Sequence, residues 1–237
     1  MSMNKPSIFR SKWAFGLLTL PVIFSFFALT FGDFGFKAGV TGSCILILGL
    51  QALFTRTPLK SIGLILIAFM LSIGGDWFLS HRQGEIARFI YGIALFFLAH
   101  VGFLLYALRQ GKVHLRTLAV VLPVYLVFYF GWLLPVIDSF SLNTAVLLYL
   151  VISCVSLSAA TGIVRLPRSA KFFFIAGIGM IIFSDTLIAL REFLSWDNCA
   201  FLILPTYYLS HLFITAALVS AMLDGNQAAE CIDIHKT

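Results

Sequence analysis

The chain has 237 residues, of which 60% are hydrophobic and only 11% are charged. A soluble domain needs about 25% charged residues to cover its surface, so this composition excludes a soluble protein. The strict alternation of a membrane β-barrel is not seen, and the predicted fold class is an all-α polytopic membrane bundle. The formal net charge of +6 is then expected to orient the loops, and no nucleic acid partner is predicted.

Eight apolar runs are each long enough to cross a bilayer, which takes roughly 20 residues in a helix. They lie near 13–31, 37–54, 61–80, 88–108, 115–135, 143–163, 172–191 and 200–222. The links between them are too short for a second domain, so the sequence predicts a single transmembrane domain over residues 1–237. Residues 224–237 are polar and are predicted to form a mobile tail.

Lysine and arginine fall mostly on one side of this predicted topology. Twelve of the sixteen lie near the termini or in the links of that side: Lys5, Arg10, Lys12, Arg56, Lys60, Arg109, Lys112, Arg116, Arg165, Arg168, Lys171 and Lys236. The other four are Lys37, Arg82, Arg88 and Arg191. Cytoplasmic segments are enriched in these residues, so both termini are predicted to be cytoplasmic. The lack of an organelle signal favours the cell inner membrane.

Two aspartates, Asp76 and Asp185, lie inside apolar runs, where an ionisable side chain is costly and usually serves a functional site. Counted from the predicted cytoplasmic ends of their helices, they lie roughly 22 and 20 Å up, at matching depth. Ser72 shares a helix face with Asp76, and Gly74 and Gly75 leave room for a helix or a ligand to approach. The alternative is a purely structural role, in which the aspartates hold neighbouring helices together.

A histidine follows each aspartate in the next predicted helix, His100 after Asp76 and His211 after Asp185. This order predicts two parallel four-helix repeats related by a twofold axis along the membrane normal, which would bring the aspartates towards each other. Tyr207 lies at about the depth of the aspartates and shares a helix face with His211. His100 has phenylalanine neighbours in the sequence and is also compatible with a satisfied core residue.

Two carboxyl groups that share a site of low dielectric constant do not both ionise readily, because their charges repel. The pair is therefore expected to hold one proton between them and to supply a general acid and a general base. Two aspartates and two histidines also contain enough ligands for a metal ion, but their spacing does not require one. The sequence therefore predicts no metal and no cofactor.

Four short motifs, in this order, resemble one protein family. They are Gly75-Asp76-Trp77-Phe78-Leu79, Ala99-His100, Phe183-Ser184-Asp185-Thr186-Leu187-Ile188-Ala189-Leu190 and Thr206-Tyr207-Tyr208. With eight helices in a chain of this length, they resemble the lysoplasmalogenase family, also called YhhN-like. The resemblance spans predicted helices 3 to 8, and relatives can carry another polar residue at the position of His211.

The resemblance implies hydrolysis of the vinyl ether bond of lysoplasmalogens, with a fatty aldehyde and glycerophosphoethanolamine or glycerophosphocholine as products. Asp76 and Asp185 are then the expected catalytic pair. The residues expected to bind substrate or to support the pair are Tyr207, Tyr208, His100, His211 and Ser72. The expected partners are the lysophospholipid substrate and membrane lipid, and Arg82 or Arg88 at the outer mouth is a candidate for the substrate phosphate.

Three other functions are compatible with parts of the sequence. A proton-coupled transporter also uses paired intramembrane carboxylates and internal repeats. An intramembrane aspartyl protease would need GxGD and YD motifs, whereas Ile73 lies two residues before Gly75 and Ser184 precedes Asp185. A scaffold without a site predicts that charge-neutral substitution of either aspartate leaves function intact.

Overall fold

Eight α-helices make up the part of the chain that the structure describes. It is a computed structural model that describes residue 13 and residues 15–234, with side chains described as far as residue 225. The helices are α1 (Thr19–Phe31), α2 (Phe34–Thr55), α3 (Leu59–Ser80), α4 (Ile86–Gln110), α5 (Leu115–Phe128), α6 (Phe140–Thr161), α7 (Arg168–Leu194) and α8 (Ile203–Ile234). A π-turn (Tyr129–Leu133) and a 3-10 turn (Leu134–Val136) extend α5, and another 3-10 turn (Ala200–Leu202) precedes α8.

Seven of the described helices are long and apolar enough to cross a membrane, and no strand forms in this part of the chain. The predicted all-α polytopic bundle is therefore confirmed. α1 has thirteen residues and rises only about 20 Å, which is less than the hydrocarbon core of about 30 Å. The predicted span 13–31 is shorter in the structure because a turn at 17–18 separates α1 from the helical residues before it.

The observed bounds of α2 and α8 also differ from the predicted spans. α2 begins at Phe34 rather than at residue 37, because the Asp33 side chain accepts a hydrogen bond from the Gly35 backbone N–H and caps the helix. α8 continues through Ile234 instead of ending near 222, since the Gln, Ala and Glu residues beyond that point favour a helix. The basic residues near the two termini, Lys5, Arg10, Lys12 and Lys236, lie outside the described residues, so the orientation stays a prediction.

Six helices form a closed ring in which each helix contacts the next. The order around the ring is α2, α3, α4, α6, α7, α8 and back to α2. α1 packs outside the ring on α2 and α8, and α5 packs outside it on α6. The ring order is unchanged when each helix is exchanged for the one four places along the chain, as a parallel repeat requires.

Local details of the two halves also match. α3 and α7 each begin directly after a proline, Pro58 and Pro167, a residue that is tolerated at a helix start but not in its interior. α2 and α6 each have twenty-two residues and each begin after a side-chain cap, Asp33 and Ser139. These matched starts give equivalent helices of the two halves the same register.

Close helix packing in each half depends on a glycine. A Cβ atom at Gly102 of α4 would lie 3.0 Å from the Cβ of Ala68 in α3. A Cβ atom at Gly177 of α7 would lie 3.0 Å from the carbonyl oxygen of Ser210 in α8. Small residues at such crossings let helix backbones approach closely inside a membrane, so both crossings are set by the absence of a side chain.

The main apolar core fills one end of the bundle. It is built from α2, α3, α4, α6, α7 and α8, and its largest fully buried side chains include Phe69, Phe103 and Phe174. These residues lie toward the helix ends that carry the link at Arg56 and the start of α7. The opposite end, which carries the link at His81, holds the cavity described next.

Candidate active site

A cavity of about 300 Å³ opens at the end of the bundle opposite the main core. Side chains from α2, α3, α4, α7 and α8 form its wall, so both halves of the chain contribute. Asp76 and Asp185 both line it, together with Phe96 and Tyr207. The ring of helices therefore brings the two intramembrane aspartates to one space, which the chain can use for chemistry.

The two aspartates lie at the same height in their helices. Each comes seventeen residues after the first residue of its helix, which is Leu59 for Asp76 and Arg168 for Asp185. At 1.5 Å per residue, both lie about 25 Å from the helix start. Two carboxyl groups at one level of one cavity suit a reaction that needs a proton donor and a proton acceptor on the same small group.

Asp76 is held by a tyrosine from the other half of the chain. The Tyr207 hydroxyl donates a hydrogen bond to Asp76 Oδ2 at 2.9 Å. Next to the carboxylate, a Cβ atom at Gly75 would lie 2.8 Å from the ring of Phe96. The room that this glycine leaves is therefore taken by helix α4 rather than by a ligand.

Asp185 has a different set of partners. The Tyr149 hydroxyl of α6 donates a hydrogen bond to Asp185 Oδ2 at 2.5 Å. His100 Nε2 lies 3.9 Å from the same oxygen, beyond hydrogen-bond distance, and the His100 side chain is only 1% exposed. Neither ring nitrogen of His100 has a hydrogen-bond partner within the described residues. Leaving a buried ring N–H unpaired is costly, and the Asp185 carboxylate at 3.9 Å can offset part of this cost by electrostatic attraction.

Three other residues predicted from the sequence lie away from the cavity wall. Ser72 is buried and donates its hydrogen bond, at 3.0 Å, to a backbone carbonyl of its own helix. Tyr208 packs in a small core between α1, α2 and α8. His211 is fully buried, with Nδ1 3.0 Å from the Tyr207 carbonyl oxygen and its ring against the Tyr207 ring. His211 therefore supports Tyr207 from behind, whereas Ser72 and Tyr208 have packing positions.

The two arginines considered for the mouth of the cavity have different surroundings. Arg82 lines the cavity and forms an ion pair with Glu192 at 2.7 Å. Its guanidinium carbon also lies 5.1 Å from the centroid of the Phe89 ring. Arg88 pairs with Glu85 at 2.9 Å and is not among the described residues that line the cavity. Of the two, only Arg82 is positioned to meet a ligand.

Apolar pockets adjoin the cavity at Asp185. One, of about 70 Å³, has Ile93, Val146 and Phe193 in its wall and shares Phe96 and Asp185 with the polar cavity. Another, of about 60 Å³, lies on the α5 side and also reaches Asp185. Of the three spaces, Asp76 lines only the polar cavity. Asp185 therefore lies at the border between polar and apolar surroundings, and Asp76 does not.

Two residues of the site are missing from the sequence-based candidates. Tyr149 donates to Asp185, and Lys37 lines the cavity with Nζ 3.4 Å from Ser80 Oγ. A tyrosine inside an apolar helix usually finds a partner for its hydroxyl, and this is the signal that points to Tyr149. Lys37 is the first residue of the predicted span 37–54, whereas the earlier start of α2 at Phe34 makes it the fourth residue of that helix.

Carboxyl, imidazole and phenol groups are the reactive groups of this site. Within the described ranges, no group of three or more His, Cys, Asp or Glu side chains is arranged to hold a metal ion. The carboxyl pair can donate and accept a proton, and the two tyrosines can fix the carboxylates. The apolar pockets beside Asp185 can exclude water from one side of a bound substrate.

The fold and the site together define a multi-pass helical membrane protein with a pair of intramembrane carboxylates in one cavity. Residues 36–218, which are more than half of the chain, match the YhhN family. The chain belongs to the YhhN family, and the resemblance seen in its motifs is confirmed. The matched range runs from α2 into α8 and includes both aspartates. Searches of curated proteins and of solved structures found no match.

Proposed function

We propose that this protein hydrolyses the vinyl ether bond of lysoplasmalogens and releases a fatty aldehyde and glycerophosphoethanolamine or glycerophosphocholine. The observation that carries the proposal is the carboxyl pair, Asp76 and Asp185, in a cavity with a charged mouth and an adjoining apolar pocket. A lysoplasmalogen has three matching parts: a charged head group for the mouth, a reactive bond for the carboxyl pair and a hydrocarbon chain for the apolar pocket. Membership of the YhhN family supports this chemistry.

Vinyl ether hydrolysis needs an acid at one carbon and water at the next. The acid gives its proton to the alkenyl carbon remote from the ether oxygen, and the electrons of the double bond form the new C–H bond. A lone pair of the ether oxygen stabilises the resulting oxocarbenium ion. Water attacks this ion while the second carboxylate accepts a proton from the water. Glycosidases use a carboxyl pair on a similar cation.

Asp185 is the proposed acid and Asp76 the proposed base. The carbon that receives the proton is attached directly to the hydrocarbon chain, and Asp185 is the carboxyl group that borders the apolar pocket. Water reaches the reacting carbon from the polar side, and Asp76 lines the polar cavity. In this assignment the pair holds one proton at the start of the reaction, with Asp185 protonated and Asp76 ionised.

Collapse of the hemiacetal completes the reaction. Ionised Asp185 takes the proton of the hemiacetal hydroxyl, and the carbonyl of the aldehyde forms as the bond to the glycerol oxygen breaks. Protonated Asp76 gives its proton to that oxygen, which leaves as the glycerol hydroxyl. Both carboxyl groups are then in their starting states, as a catalytic cycle requires.

Tyr149 and Tyr207 are the proposed positioning residues. Each donates to Oδ2 of one carboxylate, which leaves Oδ1 for the reaction. A hydrogen bond to a charged group contributes about 1.5–3 kcal/mol, so each tyrosine can fix its carboxylate against rotation. His100, 3.9 Å from Asp185 Oδ2, would stabilise the carboxylate that remains after proton transfer when the imidazole is charged.

The alternative is a proton-coupled transporter that uses the two aspartates as a proton relay. The twofold order of the helix ring favours this alternative, since many transporters are built from repeats. A transport path would have to pass the main core, in which Phe69, Phe103 and Phe174 are fully buried. Proton flux in proteoliposomes, without any release of aldehyde, would support the transporter.

The test is aldehyde release from 1-alkenyl-lysophosphatidylethanolamine by the purified protein in detergent. Activity that persists with a chelator and is lost in both Asp76→Asn and Asp185→Asn would support the carboxyl pair. Asp138→Asn is the matched control, because Asp138 is an exposed carboxylate in the link before α6. Folded wild-type protein that releases no aldehyde would contradict the proposal. Loss of activity with the chelator alone would indicate a metal-dependent reaction instead.

We also propose that the protein lies in the cell inner membrane with both termini in the cytoplasm, so that the cavity opens at the outer face. The charge distribution supports this orientation, because twelve of the sixteen Lys and Arg residues belong to the predicted cytoplasmic side. An alkaline phosphatase fused after Thr237 should be inactive, and one fused in the link at Asp138 should be active. The reverse pattern would contradict this orientation.

A further inference from the structure

The four basic residues at the cavity end of the bundle are not equivalent. Three of them form ion pairs with carboxylates: Arg82 with Glu192, Arg88 with Glu85 and Arg191 with Asp197. The fourth, Lys37, forms no ion pair within the part of the chain that the structure describes. Its ammonium group is the cation at this end that has no carboxylate partner among these residues.

Lys37 reaches into the cavity rather than toward lipid. It lies in the first turn of α2, is half-buried and lines the cavity wall. Its Nζ lies 3.4 Å from Ser80 Oγ. Ser80 is one helical turn above Asp76 on α3, so the ammonium lies on the mouth side of the carboxyl pair. A partly desolvated cation with no carboxylate in direct contact favours the binding of an anion, and the Asp76 carboxylate acts on it only from a longer distance.

Arg82 is a weaker candidate for the same role. Its guanidinium lies between the Glu192 carboxylate at 2.7 Å and the Phe89 ring at 5.1 Å. A ligand anion would have to compete with Glu192 for Arg82. At Lys37 it would replace only the contact with the Ser80 hydroxyl. Of these two cations, Lys37 is therefore the more available to an incoming anion.

The order of groups along the cavity matches the order of groups in one kind of molecule. From the α2 side of the cavity toward α6 come the Lys37 ammonium, the carboxyl pair and the apolar pocket beside Asp185, whose wall includes Val146 of α6. Ser80, which the Lys37 ammonium contacts, and Asp76 are four residues apart on α3, about 6 Å along the helix. In a lysophospholipid, a single glycerol unit separates the phosphate from the ether or ester oxygen that begins the chain.

We propose that Lys37 binds the phosphate of a lysophospholipid and so sets the depth at which its first chain bond meets Asp76 and Asp185. This assignment rests on the proposed function for the identity of the bond that reacts. The recognised chemistry is a phosphodiester that carries a single hydrocarbon chain. A neutral 1-alkylglycerol lacks the phosphate, and inorganic phosphate lacks the chain.

The test is binding of a saturated 1-alkyl-lysophosphatidylethanolamine, which has no vinyl ether to hydrolyse, measured by titration calorimetry on the full-length protein in detergent. Lys37→Met should raise the Kd for this lipid about tenfold, because a charge-assisted hydrogen bond to phosphate is lost. The Kd for 1-alkylglycerol should not change. Lys37→Arg should keep most of the affinity, and Lys60→Met is the control, because Lys60 is an exposed lysine at the opposite end.

Other outcomes would overturn the proposal. If Lys37→Met weakens binding of the lipid and of 1-alkylglycerol equally, Lys37 has a structural role. If it weakens binding of neither, Lys37 is not part of the binding site. Inorganic phosphate that binds as tightly as the lipid would make the site one for free phosphate. If wild-type protein binds the lipid through Lys37 but releases no aldehyde from the alkenyl lipid, the hydrolase proposal fails and the phosphate site stands.

Discussion

Asp76 and Asp185 occupy equivalent positions in a repeated fold, but their surroundings differ. Both follow the start of their helix by the same number of residues, and each accepts a hydrogen bond from a tyrosine hydroxyl. Asp185 also borders two apolar pockets and has His100 nearby, whereas Asp76 faces only the polar cavity among these spaces. A symmetric backbone with an asymmetric lining can therefore divide the work of an acid and a base between two identical side chains.

The largest expected effect separates the two aspartates directly. Asp185→Ala and Asp76→Ala should each lower the rate of aldehyde release by about 10³-fold, because general acid–base groups contribute on that scale. Added formate should restore part of the activity of Asp76→Ala, since a small carboxylate can enter the polar cavity and act as a base. It should not restore Asp185→Ala, because formate cannot deliver a proton at the apolar border.

The rescue is measured as the initial rate of aldehyde release across a series of formate concentrations at constant ionic strength. Asp138→Ala in the same formate series controls for general effects of the anion. Rescue of Asp185→Ala alone would mean that the roles of the two aspartates are exchanged. Equal rescue of both would contradict the division between acid and base.

A second prediction concerns the backbone that the two aspartates share. Gly177→Ala should lower the free energy of unfolding by about 1–3 kcal/mol, because its new Cβ would meet Ile214 Cγ1 at 2.6 Å and the Ser210 carbonyl oxygen at 3.0 Å. Gly179→Ala on the same helix meets nothing within 4 Å and should stabilise the helix by up to about 1 kcal/mol. Unfolding in increasing SDS measures both, and equal stability of the two variants would contradict the close crossing of α7 and α8.

A smaller effect is expected from the tyrosines that hold the carboxylates. Tyr149→Phe and Tyr207→Phe keep the aromatic rings but remove the hydrogen bonds to Asp185 and Asp76. Each should lower kcat about tenfold, which corresponds to about 1.4 kcal/mol in the barrier. Tyr106→Phe is the control, because Tyr106 is a buried tyrosine of the main core. Unchanged kcat in Tyr207→Phe and Tyr149→Phe would mean that neither tyrosine positions its carboxylate.

Hydrophobic run length and helix rise account for much of the fold that the sequence predicts. The equal depth of Asp76 and Asp185 follows from counting along straight helices, and the structure has the same result with helix starts at Leu59 and Arg168. Counting does not show where a helix gains or loses a turn. The Asp33 cap that starts α2 early is a local hydrogen bond, and it makes Lys37 the fourth residue of the helix instead of the first.

The partners of the aspartates could be predicted only in part. Tyr207 follows from its depth on α8, but its bond to Asp76 depends on how α3 and α8 face each other across the ring of helices, which no periodicity specifies. Tyr149 comes from α6, a helix without any other charged or catalytic candidate in the sequence. Ser72 shares a face with Asp76, yet its hydroxyl bonds to its own helix because that face is buried below the cavity.

In the proposed mechanism, a carboxylic acid of this pair protonates the alkenyl carbon, and water then attacks the neighbouring carbon. The most direct test is hydrolysis of 1-alkenyl-lysophosphatidylethanolamine by wild-type protein in deuterium oxide and, separately, in ¹⁸O-water, with the aldehyde reduced as it forms. This mechanism leads to one deuterium on the carbon next to the former carbonyl and no ¹⁸O in glycerophosphoethanolamine. An ¹⁸O atom in the glycerol product, or an alcohol without the new deuterium, would contradict it.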